Sequence, residues 1–166
     1  VVELHEKEAI AACLRRNPRL HAYELGHLDS FDWPFTRWFG LESAGRLKQL
    51  ALLYTQPAVP VLLAIAEEPL MAMEELLRGL RDELPPALSV PITSPLLDTL
   101  VERYVVERAE PHLKLALGRT DVVASCTTPC REGMVVETRD PRARLVAGAV
   151  VELVLSELPH APAPHT

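Results

Sequence analysis

Cysteine is scarce in the chain, and its three cysteines predict neither a disulfide framework nor a zinc site. Cys13 falls on an apolar helical pattern, where a free thiol packs as a small hydrophobic group. Cys126 and Cys130 form the sequence C-T-T-P-C, but a zinc site needs four ligands and the sequence has no second pair. A redox pair and two unpaired loop cysteines both stay open for this segment. This cysteine usage favours a cytoplasmic protein.

The chain also lacks a basic surplus and a long apolar run. Its 23 acidic residues outnumber 17 basic ones, giving a formal net charge of -6, whereas nucleic-acid-binding proteins usually carry a basic face. The sharpest basic cluster is Arg139, Arg142 and Arg144, which fits a solvated loop better than a phosphate site. A membrane helix needs about 18 or more consecutive apolar residues, and the sequence has no such run. We therefore expect neither a nucleic-acid partner nor a membrane partner.

Apolar residues are plentiful, and their spacing predicts a mixed α/β (α+β) fold. They make up 48% of 166 residues, enough for one domain with a continuous core. Periodicity and Pro or Gly breaks predict strands at residues 1–4, 35–42, 47–56, 61–66, 88–93 and 111–117, and helices at 6–16, 18–28, 69–84 and 95–106. Three successive strands with short turns predict an antiparallel meander. The two following strand–helix units are expected to add parallel strands, so that helices flank a mixed, mostly antiparallel sheet.

The pattern of the sequence changes after residue 117. Residues 118–133 are loop-like, and 134–138 fit a strand. Residues 145–158 fit one face of a helix and one face of a strand equally, and we lean towards a helix although the β-branched content keeps the strand open. Residues 159–166 are typical of a disordered tail. The predicted organisation is a domain at 1–117, an appended segment at 118–158 and a tail.

Three stretches carry a resemblance to a known family. They are L-H-A-Y-E-L-G-H-L-D-S-F-D-W-P-F-T-R-W-F-G-L at residues 20–41, L-A-L-L-Y-T-Q-P-A-V-P-V-L-L-A-I at 50–65, and H-L-K-L-A-L at 112–117. The chain resembles the N-terminal half of bacterial two-domain proteins of the GNAT N-acetyltransferase superfamily, and the predicted order of elements agrees with that superfamily up to its sixth strand. The resemblance covers residues 1–117. It implies acetyl-CoA as cofactor, no metal, and a catalytic GNAT domain or a second copy of the chain as partner.

The resemblance also implies where acetyl-CoA would bind. GNAT enzymes hold its pyrophosphate on backbone N–H groups after the fourth strand, in the pattern Q/R-x-x-G-x-G/A, at the N-terminus of the next helix. This chain instead has E-E-P-L-M-A at residues 67–72, with no glycine and with a proline that lacks an N–H. If the cofactor binds, the resemblance assigns it to Ile65, Ala66, Leu70 and Met71. We expect that this pyrophosphate loop is lost.

One tyrosine is the candidate catalytic residue. GNAT enzymes often use a tyrosine near the end of the fourth helix to protonate the leaving CoA thiolate, and Tyr104 in V-E-R-Y-V-V-E-R stands at the matching place. In this role the tyrosine hydroxyl has to lie within hydrogen-bonding distance of the thiolate sulfur. The G-F pair that usually follows is missing, so an aromatic residue closing the helix is the favoured interpretation.

Two further clusters have a structural and a functional interpretation. His21, Glu24 and His27 share a predicted helix face and fit a polar face better than a metal site, because three ligands on one short helix rarely converge. The aromatic stretch at residues 31–35, with Trp38 and Phe39, fits core and a subunit or domain contact better than the lining of a ligand cleft.

Three functions follow as hypotheses. The favoured one is a non-catalytic GNAT-like module for domain packing, dimerisation or small-ligand binding. The alternative is an active acetyl-CoA-dependent N-acetyltransferase acting on a small amine or amino acid, with Tyr104 as its acid. A structural homodimer is the third.

Overall fold

The computed structural model describes residues 1–116 and 144–157, with side chains for residues 1–111. The strands are β1 (Val2–Leu4), β2 (Thr36–Ser43), β3 (Arg46–Tyr54), β4 (Val61–Leu63), β5 (Ala87–Thr93), β6 (Tyr104–Ala116) and β7 (Arg144–Glu157). The helices are α1 (Lys7–Leu14), α2 (Ala22–Gly26), α3 (Met71–Gly79) and α4 (Asp98–Val101), with 3-10 turns at Trp33–Phe35 and Ser94–Leu96. Within these ranges the strands form one seven-stranded sheet in the order β1-β2-β3-β4-β5-β7-β6.

The sheet is mostly antiparallel, as predicted. β2, β3 and β4 form the expected meander, and β2 turns into β3 through Ala44 and Gly45. Both turn residues have positive φ, 51° and 69°, as a two-residue hairpin turn with the right twist requires. The parallel pair is β4 with β5, which are joined by a crossover through α3. The predicted mixed α/β fold class is therefore confirmed.

Each face of the sheet carries its own core. Trp38 and Phe39 are neighbours on β2, so their side chains leave the sheet on opposite faces. Trp38 packs with Ile10 and Leu14 of α1, whereas Phe39 belongs to the cluster that contains Leu77 of α3. The apolar stripe predicted for the helix at 69–84 is buried at every member: Leu70, Met73, Leu77, Leu80 and Leu84. The helix itself is shorter than predicted, because α3 ends at Gly79, and Leu80 and Leu84 lie in the turns that follow.

Two other predicted helices are also much shorter than expected. Residues 18–28 contain a helix only at Ala22–Gly26, because the Asn17 side chain accepts a hydrogen bond from the Leu20 N–H at 3.2 Å and caps a turn instead. Residues 95–106 contain a 3-10 turn and the short α4, and β6 already begins at Tyr104. The prediction that Tyr104 lies on a helix is wrong, because this part of the chain finds hydrogen-bonding partners in β7.

The leaning towards a helix at residues 145–158 is also wrong. Arg144–Glu157 forms β7, which lies between β5 and β6 and pairs antiparallel with both. β6 contains the strand predicted at 111–117, but β7 separates it from β5, so β6 does not join the parallel pair. The boundary drawn between 1–117 and 118–158 therefore does not coincide with a boundary of the sheet. The predictions for residues 118–133, 134–138 and 159–166, and for Cys126, Cys130, Arg139 and Arg142, lie outside the described residues.

Candidate functional site at the end of the fourth strand

The end of β4 is joined to the end of β5 by a buried side chain. The Ala66 N–H donates to Thr93 Oγ1 at 3.0 Å, and the Thr93 hydroxyl donates to the Ala66 carbonyl at 3.1 Å. A hydroxyl carries one donor and two acceptor lone pairs, so one threonine can satisfy both backbone groups. The Thr93 N–H also donates to the Ala64 carbonyl at 3.4 Å. The two strands are thus held together beyond their regular pairing.

The junction from β4 to α3 is tied to the connection between α1 and α2. The Asn17 amide donates to Glu67 Oε1, while Asn17 Oδ1 accepts from the Leu20 backbone. Both polar atoms of the Asn17 side chain are therefore engaged. Glu68 and Pro69 follow, joined by a cis peptide bond, and α3 starts at Met71.

The four residues predicted to hold a cofactor have contrasting surroundings. Ile65, Ala66 and Leu70 are buried in the core, whereas the Met71 side chain is 74% exposed. Both backbone groups of Ala66 are occupied by Thr93. Sequence reasoning missed Thr93 as a member of this site, because nothing local distinguishes a threonine at the end of an apolar strand.

A groove of about 340 Å³ lies beside this junction, and we call it the junction groove. The end of α1, the following connection, the first half of β3 and the start of α3 form its walls. Charged groups of both signs line it: Arg16 and Lys48, and Glu67 and Glu68. Its apolar lining includes Leu14, Leu20, Leu50 and Met73. The aromatic stretch at residues 31–35, with Trp38 and Phe39, contributes nothing to this lining. Trp38 and Phe39 are buried in the core, as the favoured interpretation expects, whereas Phe31 and Phe35 are exposed.

His21 and Glu24 form a hydrogen-bonded pair behind the junction groove. His21 Nδ1 lies 3.1 Å from Glu24 Oε1, and His21 lines the groove. Glu24 is only 2% exposed, and its Oε2 has no hydrogen-bond partner among the described residues. A solvated polar face does not describe Glu24, because the carboxylate is buried.

His27 belongs to a second polar cluster, apart from His21 and Glu24. Its Nδ1 lies 3.0 Å from Asp32 Oδ2, and the Tyr54 hydroxyl donates to Asp32 Oδ1 at 3.0 Å. The rings of His27 and Tyr54 are in contact, with centroids 4.4 Å apart. The three residues of the predicted metal alternative therefore do not converge. Among the described residues, no group of three or more His, Cys, Asp or Glu side chains could hold a metal ion.

Tyr54 is expected to ionise at higher pH than free tyrosine. Desolvation by its surroundings raises the pKa of Tyr54, and the hydrogen bond and charge of Asp32 and the charge of Asp29 raise it further. A folded-state pKa above the unfolded value means that the stabilising contribution is fully present below about pH 10 and is lost as pH rises through the folded pKa. Asp32→Asn should lower the Tyr54 pKa by removing the charge.

The measurement is an ultraviolet titration of phenolate in the wild type and in Asp32→Asn. Tyr54→Phe in each background identifies the Tyr54 signal among the three tyrosines by difference. An unchanged Tyr54 titration in Asp32→Asn would show that Asp32 does not act on the phenol.

Tyr104 lies far from the junction. It is buried at the start of β6, and its hydroxyl donates to the Pro85 carbonyl at 2.8 Å. β7 lies between β6 and β5, and its pairing with both strands places Tyr104 at the same end of the sheet as the first residues of β5. Thr93 is the last residue of β5, at the opposite end. β5 has seven residues, so at about 3.3 Å per residue its two ends are about 20 Å apart. The structure does not bring Tyr104 together with the predicted cofactor residues.

The comparisons with known proteins add no identity to this geometry. No family model, no curated protein and no solved structure matches the chain. In the described part of the chain, every helix is too short or too polar to cross a bilayer.

Proposed function

We propose that the chain is a non-catalytic GNAT-like module that binds a small ligand and does not transfer acetyl groups. The order of elements from β1 to β6 is the order that the GNAT resemblance implies, which supports a GNAT-like fold. The observation that carries the non-catalytic part is the double hydrogen bond between Thr93 and Ala66. It occupies backbone groups at the place where the resemblance would put acetyl-CoA.

The groups that follow Ala66 are also unsuited to a pyrophosphate. Glu67 and Glu68 bring two carboxylates to the place of two phosphate charges, and Pro69 has no N–H to donate. Each like-charged pair at a separation of about 4 Å costs about 1 kcal/mol in water and about 4 kcal/mol near a protein surface. A helix N-terminus offsets little of this, since its contribution is about 0.3 to 1 kcal/mol at an exposed site.

The candidate acid gives no support to the alternative of an active N-acetyltransferase. The Tyr104 hydroxyl is engaged with Pro85 and is buried about 20 Å from the end of β5. A general acid has to reach the leaving thiolate within hydrogen-bonding distance.

Calorimetric titration with acetyl-CoA tests the proposal. We expect no binding by the wild type, and no acetylated product when acetyl-CoA and a panel of amines are analysed by mass spectrometry. The double variant Glu67→Gln, Glu68→Gln separates the two obstacles: we expect it to stay without binding, because Thr93 still occupies Ala66. Micromolar binding of acetyl-CoA by the wild type would refute the non-catalytic proposal.

A further inference from the structure

The charged groups of the junction groove are not paired with one another. Arg16, Lys48, Glu67 and Glu68 all line it, yet none of the four forms an ion pair with any residue among 1–111. Arg16 Nη1 donates to the Leu47 carbonyl at 2.9 Å, and the Asn17 amide donates to Glu67 Oε1. A charged ligand would therefore not have to displace an ion pair between residues 1–111 in order to reach these four groups.

The two signs occupy different walls of the junction groove. The cations lie at the end of α1 and the start of β3, and the carboxylates lie at the junction after β4. β3 and β4 pair antiparallel from Leu52 opposite Leu63 to Tyr54 opposite Val61, and Lys48 and Glu67 lie on the two segments beyond this paired stretch. A ligand between these walls meets a cation on one side and a carboxylate on the other.

The His21–Glu24 pair places a histidine ring beside the same charged groups. His21 lines the groove, and its Nδ1 lies 3.1 Å from Glu24 Oε1, a hydrogen bond that orients the ring. The carboxylates of Glu67 and Glu68 in the same lining suit an ammonium group.

We infer that the junction groove binds a small zwitterionic α-amino acid, an inference that rests on the proposed ligand-binding function. Lys48 and Arg16 pair with the carboxylate, and Glu68 receives the ammonium group. Two cations against two carboxylates leave the lining neutral, which complements a zwitterion better than a net anion or a net cation. The volume of about 340 Å³ falls within the range of about 300–1,000 Å³ for small-molecule sites.

The test is calorimetric titration with three matched probes: L-leucine, 3-methylbutylamine, which lacks its carboxylate, and 4-methylpentanoate, which lacks its amine. L-leucine is expected to bind at least about ten-fold more tightly than either of the others, since each loses a charged contact. Lys48→Gln should weaken L-leucine about ten-fold and leave the amine unaffected. Glu68→Gln should weaken L-leucine similarly and leave 4-methylpentanoate unaffected. Arg46→Gln and Glu75→Gln, exposed residues outside the groove, are the matched controls.

Each other result overturns the inference. Absence of L-leucine binding by folded wild type, checked by thermal unfolding, removes the site. Equal binding of the amine and L-leucine makes it a cation site, and equal binding of 4-methylpentanoate makes it an anion site. L-leucine affinity that is unchanged in both Lys48→Gln and Glu68→Gln places the ligand elsewhere. These results are independent of the acetyl-CoA titration, so the inference and the non-catalytic proposal fail separately.

Discussion

Replacing Trp38 with alanine is expected to lower the free energy of unfolding by about 3 to 5 kcal/mol. The Trp38 side chain is only 1% exposed and packs against Ile10 and Leu14 of α1. Its ring also stacks on Trp33, with centroids 6.3 Å apart, and its Nε1 donates to Thr36 Oγ1 at 2.9 Å. Alanine leaves a cavity that the surrounding strands cannot fill without moving, so the lost packing adds to the lost transfer free energy.

Urea denaturation followed by circular dichroism measures this effect without relying on tryptophan fluorescence. Phe31→Ala is the matched control, because Phe31 is an aromatic residue of the same stretch that is 70% exposed. Its replacement should change the free energy of unfolding by no more than about 0.5 kcal/mol. Similar losses for Trp38→Ala and Phe31→Ala would contradict the assignment of Trp38 to the core.

Replacing Thr93 with valine is expected to cost about 2 to 4 kcal/mol of folding stability. The substitution keeps the shape of the side chain but removes the hydroxyl that serves the Ala66 N–H and carbonyl. Both backbone groups are then buried without a partner, and each such group costs about 1 to 3 kcal/mol. Urea denaturation gives the loss, and hydrogen exchange should show faster exchange of the Ala66 amide.

Thr93→Ser is the control that keeps the hydroxyl and removes only a methyl group. It should retain the protection of the Ala66 amide and lose no more than about 1 kcal/mol of stability. If Thr93→Val and Thr93→Ser are equally stable, the hydroxyl does not join the two strands, and the main support for the non-catalytic proposal disappears.

Local patterns in the sequence were sufficient for the meander and for the presence of α3, although the helix ends at Gly79 and not at residue 84 as predicted. The apolar stripe from Leu70 to Leu84 has helical spacing, and a helix with such a stripe has to bury it against the sheet. Alternation in β2 likewise predicts that neighbouring side chains such as Trp38 and Phe39 face opposite sides. These predictions held because they depend on residues within a few positions of one another.

The second half of the sheet depended on partners far along the chain. The sequence of residues 145–158 fits a helix and a strand equally. It forms strand β7 because β5 and β6 pair with it on both sides. The same pairing ends the predicted fourth helix early and places Tyr104 on β6. Local propensity cannot decide such a segment, because tertiary hydrogen bonding outweighs the small intrinsic preference.

The candidate site likewise has features that the sequence determines and features that only the fold determines. The sequence by itself determined the chemistry of the junction: Glu67, Glu68 and Pro69 stand where the resemblance expects glycines, and no folding can add an N–H to proline. Only the tertiary structure decided that the Thr93 hydroxyl forms hydrogen bonds with the backbone of Ala66 and that Glu24 is buried beside His21. A residue's type fixes which bonds it can form, whereas its partners depend on which strands and helices the whole chain brings together.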